Sequence, residues 1–174
     1  MRHAHYAAAA ALALRPAFAA RPDALRGIVL ETYGEAIAYA GNRAPTSAIK
    51  AQFSLSWGIA AALAQGDLGP DAYTDAALAD PLLRRLEAMV ALREDPAMTA
   101  AGRRAARVTL DLGDERPSRA VETIAGDPGR PMTEAEIRAK FHRLAAPLLG
   151  EDACVSIAAQ ILQADAAAIV APFG

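Results

Sequence analysis

The sequence is poor in the residues that most often announce chemistry. It holds one cysteine, Cys154, one tryptophan, Trp57, and three histidines, His3, His5 and His142. A lone cysteine cannot close an internal disulfide, which fits a reducing compartment. Cys154 lies in the helical run ACVSIAAQIL, where a free cysteine behaves as a small core hydrophobe. Aromatics make up only 5 % of the 174 residues, against 53 % apolar overall. The core is therefore expected to be aliphatic and filled with alanine. The net charge of −2 comes without a basic stripe, which argues against nucleic acid as a partner. No apolar run reaches the roughly 18 residues of a membrane span. Residues 47–65 come closest and are interrupted by Lys50, Gln52, Ser54 and Ser56. No GxGxxG, P-loop, CxxC, HExxH or GxSxG pattern is present, so the familiar nucleotide, redox, zinc and serine-hydrolase signatures are missing.

What is there begins with MRHAHYAAAAALALRPAFAA. Arg2, the apolar run and Ala17-Phe18-Ala19 mimic a secretory leader, but Arg15 and Pro16 interrupt it and alanine is a weak leader core. A helix over residues 6–14, ended by Arg15-Pro16, is the better expectation. Met1-Arg2-His3 has the composition of a square-planar Cu(II) hook, with nothing else in the chain pointing to copper. A three-histidine zinc site would have to bring all three histidines together.

Further along, Ile28, Leu30 and Thr32 alternate with Val29, Glu31 and Tyr33, which predicts a half-buried strand. A short helix follows over residues 35–40, and a long one over 48–65 that stops at Gly66. Its second half, WGIAAALA, is apolar all round and so is expected to be buried all round. Asp80-Pro81 marks the start of another helix with Leu82, Leu83, Leu86 and Met89 on its apolar face. A strand over residues 90–93 and a loop over 95–103 come next. Val108, Leu110 and Leu112 alternate with Thr109 and Asp111, and residues 120–124 return as the second arm of a hairpin. Pro117 in that arm favours a sheet edge or a longer loop. Thr133 and Glu136 form a capping box before a helix with Ile137, Phe141, Leu144 and Leu148 on one face. Helices over residues 151–163 and 166–170 close the chain. The fold class is α+β: a small antiparallel sheet packed by helices, with flanking helices.

The side chains name no reaction by themselves. Ser54 and Ser56 have no histidine nearby in sequence, so helix packing explains them. Trp57 has helical spacing with Phe53, Ala60 and Ala61, as a core residue would. His142 lies beside Arg143 on a polar helix side. Lys50, Arg84, Arg85, Arg93 and Lys140 are scattered and read as solvated cations.

Several stretches taken together carry a resemblance: HYAAAAALAL, LRGIVLETYGEAIAYAG, IKAQFSLSWGIAAALAQG, DAALADPLLRRL and GDPGRPMTEAEIRAKFHRLA. In order and spacing they resemble the C-terminal portion of the MmgE/PrpD family, which includes 2-methylcitrate dehydratase, cis-aconitate decarboxylase and iminodisuccinate epimerase. FSLSWGIAAALAQG and the GDP-x-x-PMT element are the most specific. The resemblance implies an all-helical domain joined to an α+β lid. On that pattern residues 1–24 are a remnant of the helical domain, 25–149 the lid, and 150–174 helices returning to the helical domain. The implied chemistry is proton removal beside a carboxylate, followed by loss of a group or reprotonation, with no metal or organic cofactor. It implies site roles for His5, which matches the family histidine after a lysine that would lie before Met1, and for Trp57, at a position usually tyrosine. An indole donates a hydrogen bond but has no acidic hydroxyl, which puts proton transfer at Trp57 in question.

Two functions follow as expectations. One is the C-terminal part of a cytoplasmic lyase or isomerase, such as a hydro-lyase, acting on small di- or tricarboxylates. It would be incomplete and inactive alone, and completed by a separate chain supplying the N-terminal helical domain or by a homodimer. The other is a non-catalytic interaction or self-association module derived from the same family. Neither involves nucleic acid or membrane.

Overall fold

The computed structural model describes residues 1–163 and has the α+β architecture. The expected helix over residues 166–170 lies outside the described residues. The chain divides into two compact units, Met1–Ile124 and Ala125–Gly174.

The first unit opens with helix α1, Arg2–Ala20. It runs past Arg15 and through Pro16, contrary to the expected stop. Proline costs one backbone hydrogen bond in a helix interior; here Ala7, Ala8, Ala10, Ala11, Leu14 and Phe18 are all buried, and this packing outweighs the loss. Strand β1, Gly27–Thr32, follows with Ile28, Leu30 and Thr32 inward. Short helices α2, Gly34–Ala40, and α3, Ala48–Gln52, lead to α4, Leu55–Gln65. The sequence pattern joined α3 and α4. They are separated because Ser54 is extended and its hydroxyl accepts the Trp57 N–H at 3.1 Å, starting a new helix.

All nine residues from Leu55 to Leu63 are buried, as an all-round apolar helix requires. Helix α4 packs along α1, where a Cβ placed on Gly58 would touch the Ala4 methyl at 3.7 Å. It ends on Gly66, left-handed at φ 77°, a conformation glycine adopts without steric cost. A 3-10 turn at Pro70–Tyr73 and helix α5, Asp75–Ala79, precede α6, Pro81–Ala88. Asp80 caps α6 through the N–H groups of Leu82 and Leu83 at 2.7 and 3.1 Å.

Strand β2, Val90–Glu94, then pairs with β1 in parallel. The sheet is therefore mixed rather than purely antiparallel. The connection from β1 to β2 is a long helical crossover, and only such a connection can bring a neighbouring strand back in the same direction. The expected loop over 95–103 contains helix α7, Pro96–Ala100, capped by Asp95. Strands β3, Ala106–Asp111, and β4, Ser118–Val121, form the predicted antiparallel hairpin. The order is β2-β1-β3-β4, which leaves β4 at an edge just after Pro117.

The second unit holds α8, Glu134–Leu149, and α9, Glu151–Gln163. The Thr133/Glu136 capping box is present, with both reciprocal hydrogen bonds. Cys154 is buried, but Ile137, Leu148, Leu149, Val155 and Ile161 are exposed.

Candidate functional site

Polar chemistry in the first unit collects in three places. The first is the initial turn of α1, against the carboxyl end of β1. His3 Nδ1 lies 2.6 Å from the Tyr33 hydroxyl. The His3 ring also stacks on Tyr39 of α2, with centroids 6.1 Å apart and planes 14° from parallel. Burial lowers the His3 pKa; Glu35 opposes that shift, while Arg104 and the N-terminal charge reinforce it. Burial also pushes the Tyr33 phenol up to about 12, against the pull of Arg104. Burial thus disfavours charge on both partners of this hydrogen bond, whose direction follows the tautomer of His3. The same bond takes the Nδ1 atom that a copper hook would use.

The second place is a buried chain of hydroxyls and charge. Ser56 donates to Glu87 Oε1 at 2.7 Å, and Ser54 Oγ lies 3.1 Å from Ser56 Oγ. Arg43 Nε reaches the same carboxylate oxygen at 3.0 Å, and the Ala44 N–H at 3.3 Å. The remaining Arg43 nitrogens donate to the carbonyls of Val90, Glu87 and Ala88. Glu87 is only 3 % exposed, so this arrangement keeps a buried charge paired. Ser56 works here as a donor to a carboxylate, and Ser54 as a helix cap. The sequence showed neither Glu87 nor Arg43, because the two lie 44 residues apart in the chain.

The third place is Trp57 itself. It is wholly buried, and its indole N–H donates to the Ala72 carbonyl at 2.8 Å. The Arg84 guanidinium lies over the ring, 5.1 Å from its centroid. The indole's single donor is thus taken by backbone, and the face of the ring is taken by a cation.

His5 is exposed on the first turn of α1. It follows Ala4, and Trp57 precedes Gly58, the two residues that meet where α1 and α4 cross. The structure therefore brings the elements carrying His5 and Trp57 together, one side chain facing solvent and the other enclosed. His142 Nε2 lies 2.5 Å from Glu151 Oε2 in the second unit. That unit also carries an apolar groove of about 320 Å³ between α8 and α9, lined by Ile137, Phe141, Ala158, Ile161 and Leu162. Among the described residues no group of three or more histidine, cysteine, aspartate or glutamate side chains is placed to hold a metal ion. No described helix is long and apolar enough to cross a membrane.

The model of the MmgE/PrpD C-terminal domain matches residues 1–164. No curated protein matches the chain.

Proposed function

The chain belongs to the MmgE/PrpD family, and from that premise we propose that it serves as the C-terminal part of a lyase or isomerase acting on small di- or tricarboxylates. The observation that carries the reading is the family match over residues 1–164. The exposed His5 on a helix locked against the core supports it. His5 removes the proton from the carbon beside a substrate carboxylate. The electron pair left behind forms a carbon–carbon double bond as hydroxide leaves with a proton as water, or it is reprotonated on the opposite face. Such proton transfers by a positioned histidine contribute about 10²–10⁴-fold to rate. The other groups needed come from a helical domain facing His5, in the same or another chain, within a cytoplasmic setting.

Solvent deuterium tests this across several carboxylates with one readout. The chain, with a helical domain of the family present, is incubated in D₂O with 2-methylcitrate, cis-aconitate or iminodisuccinate and followed by NMR. Exchange or turnover beside a carboxylate is expected, with His5→Ala lowering it about 100-fold or more. Wild-type rates in the H5A variant, or no exchange with any of the three, would sink the reading.

A second reading is a self-association module. The exposed apolar side chains of α8 and α9 favour it, since monomeric proteins seldom leave such faces open. A defined dimer by light scattering together with no exchange in D₂O is its signature.

A further inference from the structure

Two partly or wholly buried charged networks in the first unit are built differently. Arg43 commits Nε, Nη1 and Nη2 to protein acceptors, among them the Glu87 carboxylate. Arg84, on α6, commits only Nε, which donates to the Leu78 carbonyl at 2.6 Å. Its Nη1 and Nη2 have no acceptor among the described residues, and no carboxylate there pairs with it. The two acids placed to reach it along the helix are already engaged. Asp80 caps the N–H groups of Leu82 and Leu83, and Glu87 holds Arg43 and Ser56. The guanidinium is nevertheless half-buried and oriented, with its face on Trp57 and its Nε on backbone.

A partly desolvated guanidinium without a counter-charge is electrostatically incomplete. Stacking on the indole uses the face of the group and leaves its edge. That edge is the fork that matches a carboxylate through two parallel N–H···O bonds. The anchoring also removes much of the rotamer freedom that a loose arginine would lose on binding.

We propose that Arg84, stacked on Trp57 and tied to the Leu78 carbonyl, binds one carboxylate of a small di- or tricarboxylate through Nη1 and Nη2. Trp57 is then a positioning residue: it holds the guanidinium and transfers no proton. The assignment rests on the reading above that the substrates are small carboxylates.

Trp57 is the sole tryptophan of the chain, so its emission reports directly on the group stacked against it. The purified chain is titrated with citrate at constant ionic strength, with chloride as the control anion, and citrate affinity is measured in parallel by calorimetry. A saturable change in Trp57 emission with citrate and none with chloride is expected. Arg84→Gln should weaken citrate about tenfold or more, the loss of a charged hydrogen-bonded pair. Arg84→Lys keeps the charge but loses the fork, and should weaken it severalfold. R84K carries the decision if R84Q does not fold, which thermal melting shows. Wild-type citrate affinity in R84K, or no saturable response in the unmutated chain, overturns the assignment. The two proposals fail separately. Deuterium exchange that depends on His5, with citrate affinity indifferent to Arg84, removes only this one. Arg84-dependent citrate binding without exchange keeps this carboxylate site and removes the catalytic reading.

Discussion

The two units of the chain bury their apolar residues to very different degrees. In the first, α4 is enclosed from Leu55 to Leu63, and even its polar neighbours Ser54, Ser56 and Glu87 are satisfied by hydrogen bonds. In the second, α8 has no buried residue, and Leu148 is 85 % exposed. Both units carry well-made helix signals, such as Asp80-Pro81 in one and the Thr133/Glu136 box in the other. Helix formation is therefore equally well specified in the two. What differs is whether the faces so formed find a partner within their own unit. Helical stability in proteins comes mostly from packing of an apolar face rather than from propensity, so the first unit should behave as a stable core and the second as a surface in want of one.

The largest effects should come from breaking the first unit. Trp57→Ala removes a wholly buried side chain and its bond to the Ala72 carbonyl. It should cost about 3–5 kcal/mol in chemical denaturation. A change under about 1 kcal/mol would mean that α4 is not the centre of the fold. Next is the buried pair. Arg43→Ala strands the Glu87 carboxylate, at a cost of about 2–3 kcal/mol, below the range for fully buried pairs because Arg43 is itself partly exposed. Adding Glu87→Gln to it should recover part of the loss, because no unpaired charge is then buried. A double variant less stable than R43A would show that the carboxylate stabilises the fold apart from the pair.

How much of the fold and site was legible depends on how local each cause is. The alternation of Ile28, Leu30 and Thr32, the cap at Asp80 and the capping box at Thr133 are local, and each was legible. So was the burial of WGIAAALA, because it needs no knowledge of what surrounds it. The run of α1 through Pro16 was not, since long-range packing overrides a local stop signal. The split at Ser54 was hidden because a serine cap inside an apolar run resembles an ordinary helical serine. The parallel β1–β2 pair depends on the path of the crossover between them. At the site, a family pattern pointed to His5 and Trp57, whereas the His3–Tyr33 bond joins residues thirty apart. Arg84 read as one solvated cation among several, and only its stacking on Trp57 sets it apart.

A smaller effect sharpens the comparison through pH. Burial disfavours the charged form of His3 in the fold and lowers its pKa from the ordinary 6.5. The unfolded chain then binds a proton that the folded chain resists, so stability rises with pH in this window. The contribution is present above 6.5 and is lost as pH falls through the lowered folded value. Melting of the wild type should therefore drop more between about pH 7.5 and 5 than melting of His3→Gln, which has no such proton. Equal drops would assign the pH dependence to other groups. His3 and the groups around it, Tyr33, Glu35, Tyr39 and Arg104, all belong to the first unit, so this difference reads that unit alone.

The smallest effect on stability is expected where the second unit is most open. Leu148→Ser on α8 removes an apolar side chain that is already in water. Surface changes of this kind stay within about 0.5 kcal/mol, so denaturation of the isolated chain should not register it. Self-association should register it, because an exposed leucine on an apolar helix face adds to any surface by which copies meet. Sedimentation of L148S against the wild type separates the two quantities. A loss of association at unchanged stability makes α8 a docking face for another surface. A clear loss of stability would place Leu148 in the core of its own unit and erase the contrast between the two halves of the chain.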